Sequence, residues 1–530
     1  MQPPTCLTRT LLASLIVVAG ALSTSTVASA ASSQPSPLLR DGSTPLTSAE
    51  HSQLNARLTQ IAREVLAHVD LLPGQSRQGS VTAVMDLDTN MITVSFQRMF
   101  LPDERDALLL EDQLDAFRHA LTWEAWKFRA PRGVIYLWQG RSLEEYFPTV
   151  REEADRARER SEAASKPHSG SGMAMVAAGH GFYLLRASNR WDLQRPLSLG
   201  IQEDFLTVNY AEELQRWIEL RSHMPVELAR STSQLPHPAS GHAWWKIAAR
   251  YHLEKRYPQN PEIWGSLGVG TTDDHDYKED IRSRPLLANH QRAEIAVHLH
   301  TNAAGPAASG ARVIYQPGRD NGRRLAESVL CYMEETIHAV EAYDQFIVSS
   351  HGEPADKGEN RLADMPSIIV ETAFHTNASD ALALQDPVFR TASMKGVEKG
   401  VRLFRQGKAC QPFSSMPMSD LEIDYKADAA AQVGFAGFPQ FPVTLTAKVV
   451  VCPSGWICFG SNKRFEEPME GSLPLTTTCS NQSSKAARLT WDITLKDADG
   501  VTTAPQRFSI TCKAKPSAGR TFAAPSATLS

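Results

Sequence analysis

The chain has 530 residues, of which 21% are charged, and a formal net charge of −5 at pH 7. This length is enough for roughly two to four domains, each with a core of its own. Because acidic and basic residues are mixed along the chain, the composition argues against the basic surface that a nucleic-acid-binding protein carries.

The first 30 residues predict a secretory signal peptide. Arg9 precedes an apolar run at 11–22, and the Ala-Ser-Ala of 28–30 provides the small residues of a cleavage site. The run is too short to span a bilayer comfortably, and no later segment is long enough either. We therefore expect an exported protein without a membrane span, located in the periplasm or outside the cell.

Six cysteines remain after this leader, and an even number suits an oxidising compartment. Six cysteines allow many connectivities, so the sequence leaves most of the pairing open. One disulfide bond is predicted, between Cys331 and Cys410, because each lies at or after a helix that should pack on the same sheet.

Residues 46–150 predict a small α/β domain. Residues 47–50, Thr-Ser-Ala-Glu, form a capping-box pattern at the start of a helix. Alternating apolar residues at 92–96 and an apolar run at 133–140 indicate strands. Residues 151–172, charged and then rich in Ser and Gly, predict a linker.

Residues 173–412 alternate apolar strands with amphipathic helices. Helical spacing of apolar residues is found at 206–218, 325–337 and 388–404. This order predicts an α/β sheet that is covered by helices on both faces.

The pattern changes to period two in residues 415–515, where no helix intervenes. An all-β sandwich of immunoglobulin-like size fits this pattern, held by some pairing of its four cysteines. The last stretch, 516–530, is rich in Ser, Ala and Pro and predicts a disordered tail.

Three apolar runs in the central block end in residues that can bind or serve a metal: His180, His300 and Glu371. Ligands bind beyond the carboxyl ends of parallel strands, so these three side chains can converge on one site. A catalytic zinc ion takes three protein ligands, commonly two His and one carboxylate. The pattern suggests a mononuclear zinc hydrolase.

Each of these positions also has a structural interpretation. His180 lies between two glycines, which leave room for a metal, but a His in such a turn is often structural. His298 and His300 point to the same face of their strand, so one can bind a metal while the other lines the pocket or is exposed. Glu371 ends so apolar a strand that its burial is costly unless it is paired or functional.

Four segments in this order resemble the zinc-dependent N-acetylmuramoyl-L-alanine amidases, which cut bacterial peptidoglycan. They are GHG at 179–181, an acidic EDF and NYA segment at 203–211, HLHTNAA at 298–304 and MPSIIVETAFHTNASDALALQDPVFR at 365–390. The resemblance covers roughly residues 173–406.

The resemblance implies an α/β/α fold with a mixed sheet and hydrolysis of the amide bond between N-acetylmuramic acid and L-alanine. It also implies that His180, Glu203 and His300 bind Zn²⁺ and that Glu371 is the catalytic acid/base. Asp204 lies beside Glu203 and is an alternative ligand. Peptidoglycan is then the partner, and a protein activator can act through the flanking domains.

Departures from the family pattern concern the pocket wall. Ala177 and Ala178 replace the usual Asp-Pro, and His298 replaces Ser.

An insertion at 221–290 includes an aromatic piece at 242–265, which can pack on the domain, cover the active site or stack on sugar rings. The Asp-Asp-His-Asp run that begins at Asp273 is interpreted as a polar loop rather than a metal cluster.

Two other functions stay open. A zinc peptidase that acts on the peptide stem would use the same chemistry, because a metal site can cut any nearby amide bond. A catalytically inactive protein that binds the wall is the second.

Overall fold

The computed structural model describes residues 46–129, 131–148, 150–152, 155–156, 159, 172–479 and 484–516. The predicted signal peptide, most of the predicted linker and residues 517–530 of the predicted tail lie outside the described residues. Among the described helices, none has the length and apolarity that a bilayer span requires.

The N-terminal region, residues 46–148, packs two long helices on a three-stranded sheet. Its helices and strands are α1 (Ser48–His68), β1 (Val81–Met85), β2 (Met91–Phe96), α2 (Leu110–Trp126), β3 (Gly133–Trp138) and α3 (Leu143–Tyr146). Strand β2 pairs antiparallel with β1 and parallel with β3. The predicted capping box is present, since Thr47 and Glu50 bond to each other's backbone at the start of α1.

The central region, residues 172–413, is built on a six-stranded mixed sheet. Its strands are β4 (Ala174–Ala178), β5 (Tyr183–Leu185), β6 (Arg190–Asp192), β7 (Val226–Leu228), β8 (Ile295–Asn302), β9 (Arg312–Tyr315), β10 (Glu353–Pro354) and β11 (Ser367–Phe374). The order in the main sheet is β10-β9-β11-β8-β4-β7, and β5 and β6 form a separate hairpin. Strand β9 is antiparallel to β11, while β4, β7, β8 and β11 run parallel.

Helices cover both faces of this sheet. They are α4 (Glu203–Trp217), α5 (Ala249–Arg256), α6 (Pro261–Trp264), α7 (His275–Gln291), α8 (Asp320–His338), α9 (Gly358–Arg361), α10 (Ala378–Gln385) and α11 (Pro387–Arg405). Strand β4 shows the two layers, because Val176 packs with α4, α8 and α11 while Met175 and Ala177 pack with α5, α6 and α7. The predicted mixed α/β fold class is confirmed.

The C-terminal region consists of two stacked sheets. Its strands are β12 (Ser414–Ser415), β13 (Leu421–Ile423), β14 (Asp428–Ala436), β15 (Val443–Val451), β16 (Ser461–Phe465), β17 (Ser472–Thr478), β18 (Ala487–Lys496) and β19 (Gln506–Cys512). Three strands form one sheet, in the order β12-β14-β17, and five form the other, in the order β13-β19-β18-β15-β16. The predicted all-β sandwich is present.

Disulfide bonds connect elements within two of the regions. The predicted Cys331–Cys410 bond is confirmed and ties α8 to the segment that follows α11. In the sandwich, Cys479–Cys512 joins the two sheets, and Cys452–Cys458 closes a short loop.

A buried ion pair attaches the sandwich to the central region. Arg221 follows α4 and donates hydrogen bonds of 2.9 and 2.6 Å to the two carboxylate oxygens of Asp499, whose side chain is buried. Lys395 lies 3.1 Å from the same carboxylate. Bidentate Arg–carboxylate contacts of this kind fix orientation as well as distance.

Candidate metal centre

A sharp turn after β4 presents His180. Its backbone has φ of 63° and that of Gly181 has φ of 128°, so the chain enters the left-handed region directly after the strand. A Cβ on Gly179 would overlap the imidazole of His300. The two glycines therefore have different structural roles. Gly181 allows the chain to turn, and Gly179 allows the imidazoles of His180 and His300 to approach each other.

The other two predicted ligands come from neighbouring elements. Glu203 is the first residue of α4, and its Oε1 accepts a hydrogen bond of 2.9 Å from the backbone N–H of Thr301. His300 lies near the end of β8, on the strand next to β4. The sheet and the start of α4 thus bring together residues that are 120 positions apart in the sequence.

Three donor atoms form a compact triangle. Nε2 of His180 lies 3.1 Å from Nδ1 of His300 and 3.3 Å from Oε1 of Glu203, and the third side measures 3.5 Å. Ligands about 2.0–2.1 Å from a tetrahedral zinc ion lie about 3.3 Å from one another. All three side chains are buried, and their positions fit a zinc ion.

The charge around the triangle also fits a cation. Burial alone would lower the pKa of His300, but the carboxylates of Glu359, Glu203 and Glu371 raise it to about 10. An excess of carboxylates in a buried pocket is costly, and a divalent cation compensates for it.

Hydrogen bonds on the far side of the His180 ring fix its orientation. Its Nδ1 donates to Oε1 of Gln194 at 3.1 Å, and Gln194 in turn donates to Asp280 at 3.1 Å. Asp204, the alternative to Glu203, accepts hydrogen bonds from the backbone of Gly181 and Gln194 at 2.9 Å each. Asp204 therefore holds the loops around the site and lies outside the donor triangle.

Glu359 contacts the far side of the His300 ring, and the sequence analysis did not detect it. Its Oε1 accepts a hydrogen bond of 3.1 Å from Nε2 of His300 and lies 3.1 Å from Nη1 of Arg284. Burial alone would raise the pKa of Glu359, but Arg284 and the two neighbouring imidazoles hold it well below its usual value. Glu359 is thus an ionised acceptor that orients the ring of His300, an arrangement that carboxylates commonly provide for metal-binding His.

His298 differs from both sequence-based expectations. It is fully buried, and its Nδ1 lies 3.3 Å from Oε1 of Glu359. It is neither exposed nor among the residues that line the cavity. The strand period placed it on the correct face, but Glu359 lies between this ring and the open space.

Glu371 lies opposite His300 in the parallel pairing of β11 with β8. It lines the cavity and is 7% exposed, and within the described part of the chain its Oε2 has no hydrogen-bond partner. Burial raises the pKa of Glu371 to about 7. A carboxyl group with this pKa in a pocket can both accept and release a proton near neutral pH.

A cavity of about 550 Å³ opens onto the donor triangle and Glu371. His375 also lines it, with its Nδ1 2.8 Å from the hydroxyl of Thr301. One wall comes from the N-terminal region, whose helix α2 contributes Glu111, Asp115, Ala116 and His119. The volume lies within the usual range for a small-molecule site of about 300–1,000 Å³.

The insertion at 221–290 packs on the central region. Trp244 and Tyr251 form a buried cluster with aromatic residues of the β5–β6 hairpin, as the packing interpretation expected. The polar-loop prediction is wrong for His275 and Asp276, which begin helix α7 and are buried. Asp276 forms ion pairs with Arg250 at 2.8 Å and Arg186 at 2.6 Å. Its burial is balanced by these two guanidinium groups, which a linear sequence does not reveal.

Comparisons with known proteins identify the central region. Residues 264–402 match the family model described as N-acetylmuramoyl-L-alanine amidase, and the match includes His300, Glu359 and Glu371. No curated protein sequence matches the chain.

Solved structures of amidases also align with about half of the chain. The N-acetylmuramoyl-L-alanine amidase from Clostridium difficile 630 is 18% identical with a TM-score of 0.30, over 46% of this chain and 100% of that one. The catalytic domain of CwlV, from Bacillus (Paenibacillus) polymyxa var. colistinus, is 14% identical with a TM-score of 0.29, over 44% and 99%. The CwlD amidase from Clostridioides difficile, solved in complex with the GerS lipoprotein, is 17% identical with a TM-score of 0.30, over 44% and 99%.

The mixed α/β fold, the buried His-Glu-His group and the family match define a hydrolase. Residues 264–402 match the N-acetylmuramoyl-L-alanine amidase family, whose substrate is peptidoglycan. Because peptidoglycan lies outside the cytoplasmic membrane, the domain acts outside the cytoplasm.

Proposed function

We propose that the amidase uses a zinc ion held by His180, Glu203 and His300 to cut the bond between N-acetylmuramic acid and L-alanine. The observation that carries this proposal is the triangle of donor atoms, with sides of 3.1, 3.3 and 3.5 Å, beside a buried carboxyl group. Zinc in such a site supplies Lewis acidity and lowers the pKa of water.

Glu371 is the proposed acid/base. Its carboxylate accepts the proton of the attacking water and then gives it to the amine of L-alanine as the amide bond breaks. The raised pKa of Glu371, about 7, makes both transfers feasible near neutral pH. Its position on β11, in register with His300 on β8, holds it beside the metal ligands on a rigid element.

Residues that contact the ligands keep the site ready for the metal. Gln194 fixes the ring of His180, and Glu359 fixes the ring of His300. Because each ring donates one N–H to a fixed acceptor, the opposite nitrogen faces the metal position and would bind the ion in its deprotonated form.

The whole chain is proposed to be organised as a signal peptide at 1–30, a small α/β domain at 46–150, a linker at 151–172, the amidase domain at 173–412, a β-sandwich domain at 415–515 and a tail at 516–530. The signal peptide would export the protein to the periplasm or the medium. A protein activator would bind a flanking domain, and the contact of helix α2 with the cavity favours the N-terminal one.

Product analysis on purified peptidoglycan tests the activity. The amidase releases the complete stem peptide with a free L-alanine amino terminus, whereas a zinc peptidase releases shorter fragments and leaves L-alanine on the sugar. An inactive wall-binding protein releases neither when loaded with zinc. The site assignment is tested by His180→Ala, which should bind no zinc while the wild-type chain binds one equivalent.

A further inference from the structure

Helix α2 of the N-terminal region presents four polar side chains to the amidase region. They are Glu111, Asp115, Arg118 and His119, at positions i, i+4, i+7 and i+8. This spacing places them on one face of the helix. The face lies against residues 353–361, the segment that includes Glu359.

Charges of opposite sign meet along this contact. Oε2 of Glu111 accepts a hydrogen bond of 2.9 Å from the backbone N–H of Gly358, and Asp115 forms an ion pair with Lys357. Arg118, which is 1% exposed, lies 2.6 Å from Oε2 of Glu353. Because these groups are buried or partly buried, removal of one partner leaves the others less well compensated.

The same helix face contacts the chain directly after β8. Nδ1 of His119 donates a hydrogen bond of 2.7 Å to the carbonyl of Ala303, and its Nε2 accepts one of 2.5 Å from Arg118. Ala303 follows His300 by three residues. Helix α2 therefore contacts both the chain that follows His300 and the segment that includes Glu359.

Glu359 connects this contact to the metal ligands. It lies in α9, a helix of only four residues, directly after Lys357 and Gly358. So short a helix has too few internal hydrogen bonds to be stable alone, and its place depends on its neighbours. The ring of His300 has Nε2 bound to Glu359 and Nδ1 directed at His180 and Glu203.

We propose that the N-terminal region contributes to metal binding. Glu111 and Asp115 of helix α2 hold residues 357–359 in place, and Glu359 in turn orients His300 for metal binding. This inference rests on the proposed role of His300 as a ligand. Glu359 acts as a positioning residue, and Glu111 and Asp115 act through it. The N-terminal region thereby stabilises the metal-bound enzyme as well as forming one wall of the cavity.

The test measures zinc affinity by competition with a chelator of known affinity, in the full chain. Glu359→Gln keeps the size of the side chain but removes its charge, and we expect 10- to 100-fold weaker zinc binding, the usual effect at such positions. Asp115→Asn, which leaves Lys357 with Glu111 at 3.5 Å as its remaining carboxylate partner, should weaken zinc binding by about three- to tenfold. Glu124→Gln is the matched control on the same helix, because Glu124 pairs with Arg57 and Lys127 inside the N-terminal region, and its affinity should equal that of the wild type.

A double variant distinguishes coupling from general loss of structure. If Asp115 acts through Glu359, the variant with both substitutions binds zinc as weakly as Glu359→Gln alone, while two independent effects would multiply. Wild-type affinity in Asp115→Asn would overturn the role of the N-terminal region. Unchanged zinc affinity in Glu359→Gln would also overturn it, because Glu359 would then have no part in orienting His300 for the metal. Zinc retained by His180→Ala would instead refute the proposed ligand set itself.

Discussion

The close approach of Gly179 to His300 makes Gly179→Ala the sharpest perturbation of the proposed metal centre. An added Cβ would lie 2.6 Å from Nδ1 and 2.8 Å from Nε2 of the His300 ring, whereas ordinary contact begins at about 3.4 Å. The ring must therefore withdraw by roughly 0.8 Å at Nδ1 and by more at Cε1, the ring atom nearest to the added Cβ, which is several times the tolerance of about 0.2 Å on zinc–ligand distances. Gly179 lacks a positive φ, so the backbone itself accepts alanine.

Overpacking of this kind costs about 1–3 kcal/mol in a well-packed core. If the strain is relieved when His300 leaves the donor triangle, zinc binding should weaken by about 5- to 150-fold. Gly305→Ala is the matched control, since its Cβ would contact nothing within 4 Å. Chelator competition measures both variants against the wild type. Zinc affinity within twofold of the wild type in Gly179→Ala would refute the reasoning.

Three further predictions concern catalysis and stability. Glu371→Gln should retain zinc but lose about 10²- to 10⁴-fold in turnover on peptidoglycan, and retained activity would remove Glu371 from the acid/base role. The base must be ionised to accept a proton, so kcat/KM should fall as the pH decreases. Burial raises the pKa of Glu371 to about 7 and a bound cation lowers it, so we expect the midpoint of this fall between pH 4.5 and about 7. A midpoint below pH 4.5 contradicts this. Arg221→Met should lower the free energy of unfolding by about 3 kcal/mol in a denaturant titration, because Asp499 stays buried and only partly paired. Arg507→Ala, at an exposed ion pair, should change it little, and an equal loss in both variants would argue against the special role of Arg221.

The sequence predicted the parts of the site that depend on strands. His180, His300 and Glu371 each end an apolar run, and parallel strands bring such ends to one edge of a sheet. The helix pattern also predicted the elements that Cys331 and Cys410 connect. The convergence of these side chains and the pairing of the two cysteines could be predicted because each depends on a local period and on one general rule of sheet geometry. The roles of the side chains in metal binding and catalysis stay predictions.

The sequence analysis missed Glu359, Glu111 and Asp115 for a physical reason. Glu359 lies in a four-residue helix without an apolar period, so nothing in its local sequence distinguishes it from a surface glutamate. Glu111 and Asp115 look like the solvated face of an amphipathic helix, because a charged face appears the same in sequence whether it meets water or opposite charges. Their partners, Gly358 and Lys357, are more than 240 residues away.

The disulfide bond between Cys331 and Cys410 makes the stability of the amidase region depend on whether its compartment is reducing or oxidising. It closes a loop of 79 residues that contains both Glu359 and Glu371. In the chain-entropy model, a loop of this length contributes about 4.5 kcal/mol, a large part of the net stability of a typical domain. Since reducing compartments keep such thiols reduced, a newly made chain would be less stable inside the cell than after oxidation outside it. The bond thus restricts full stability of a wall-degrading fold to the compartment that holds its substrate.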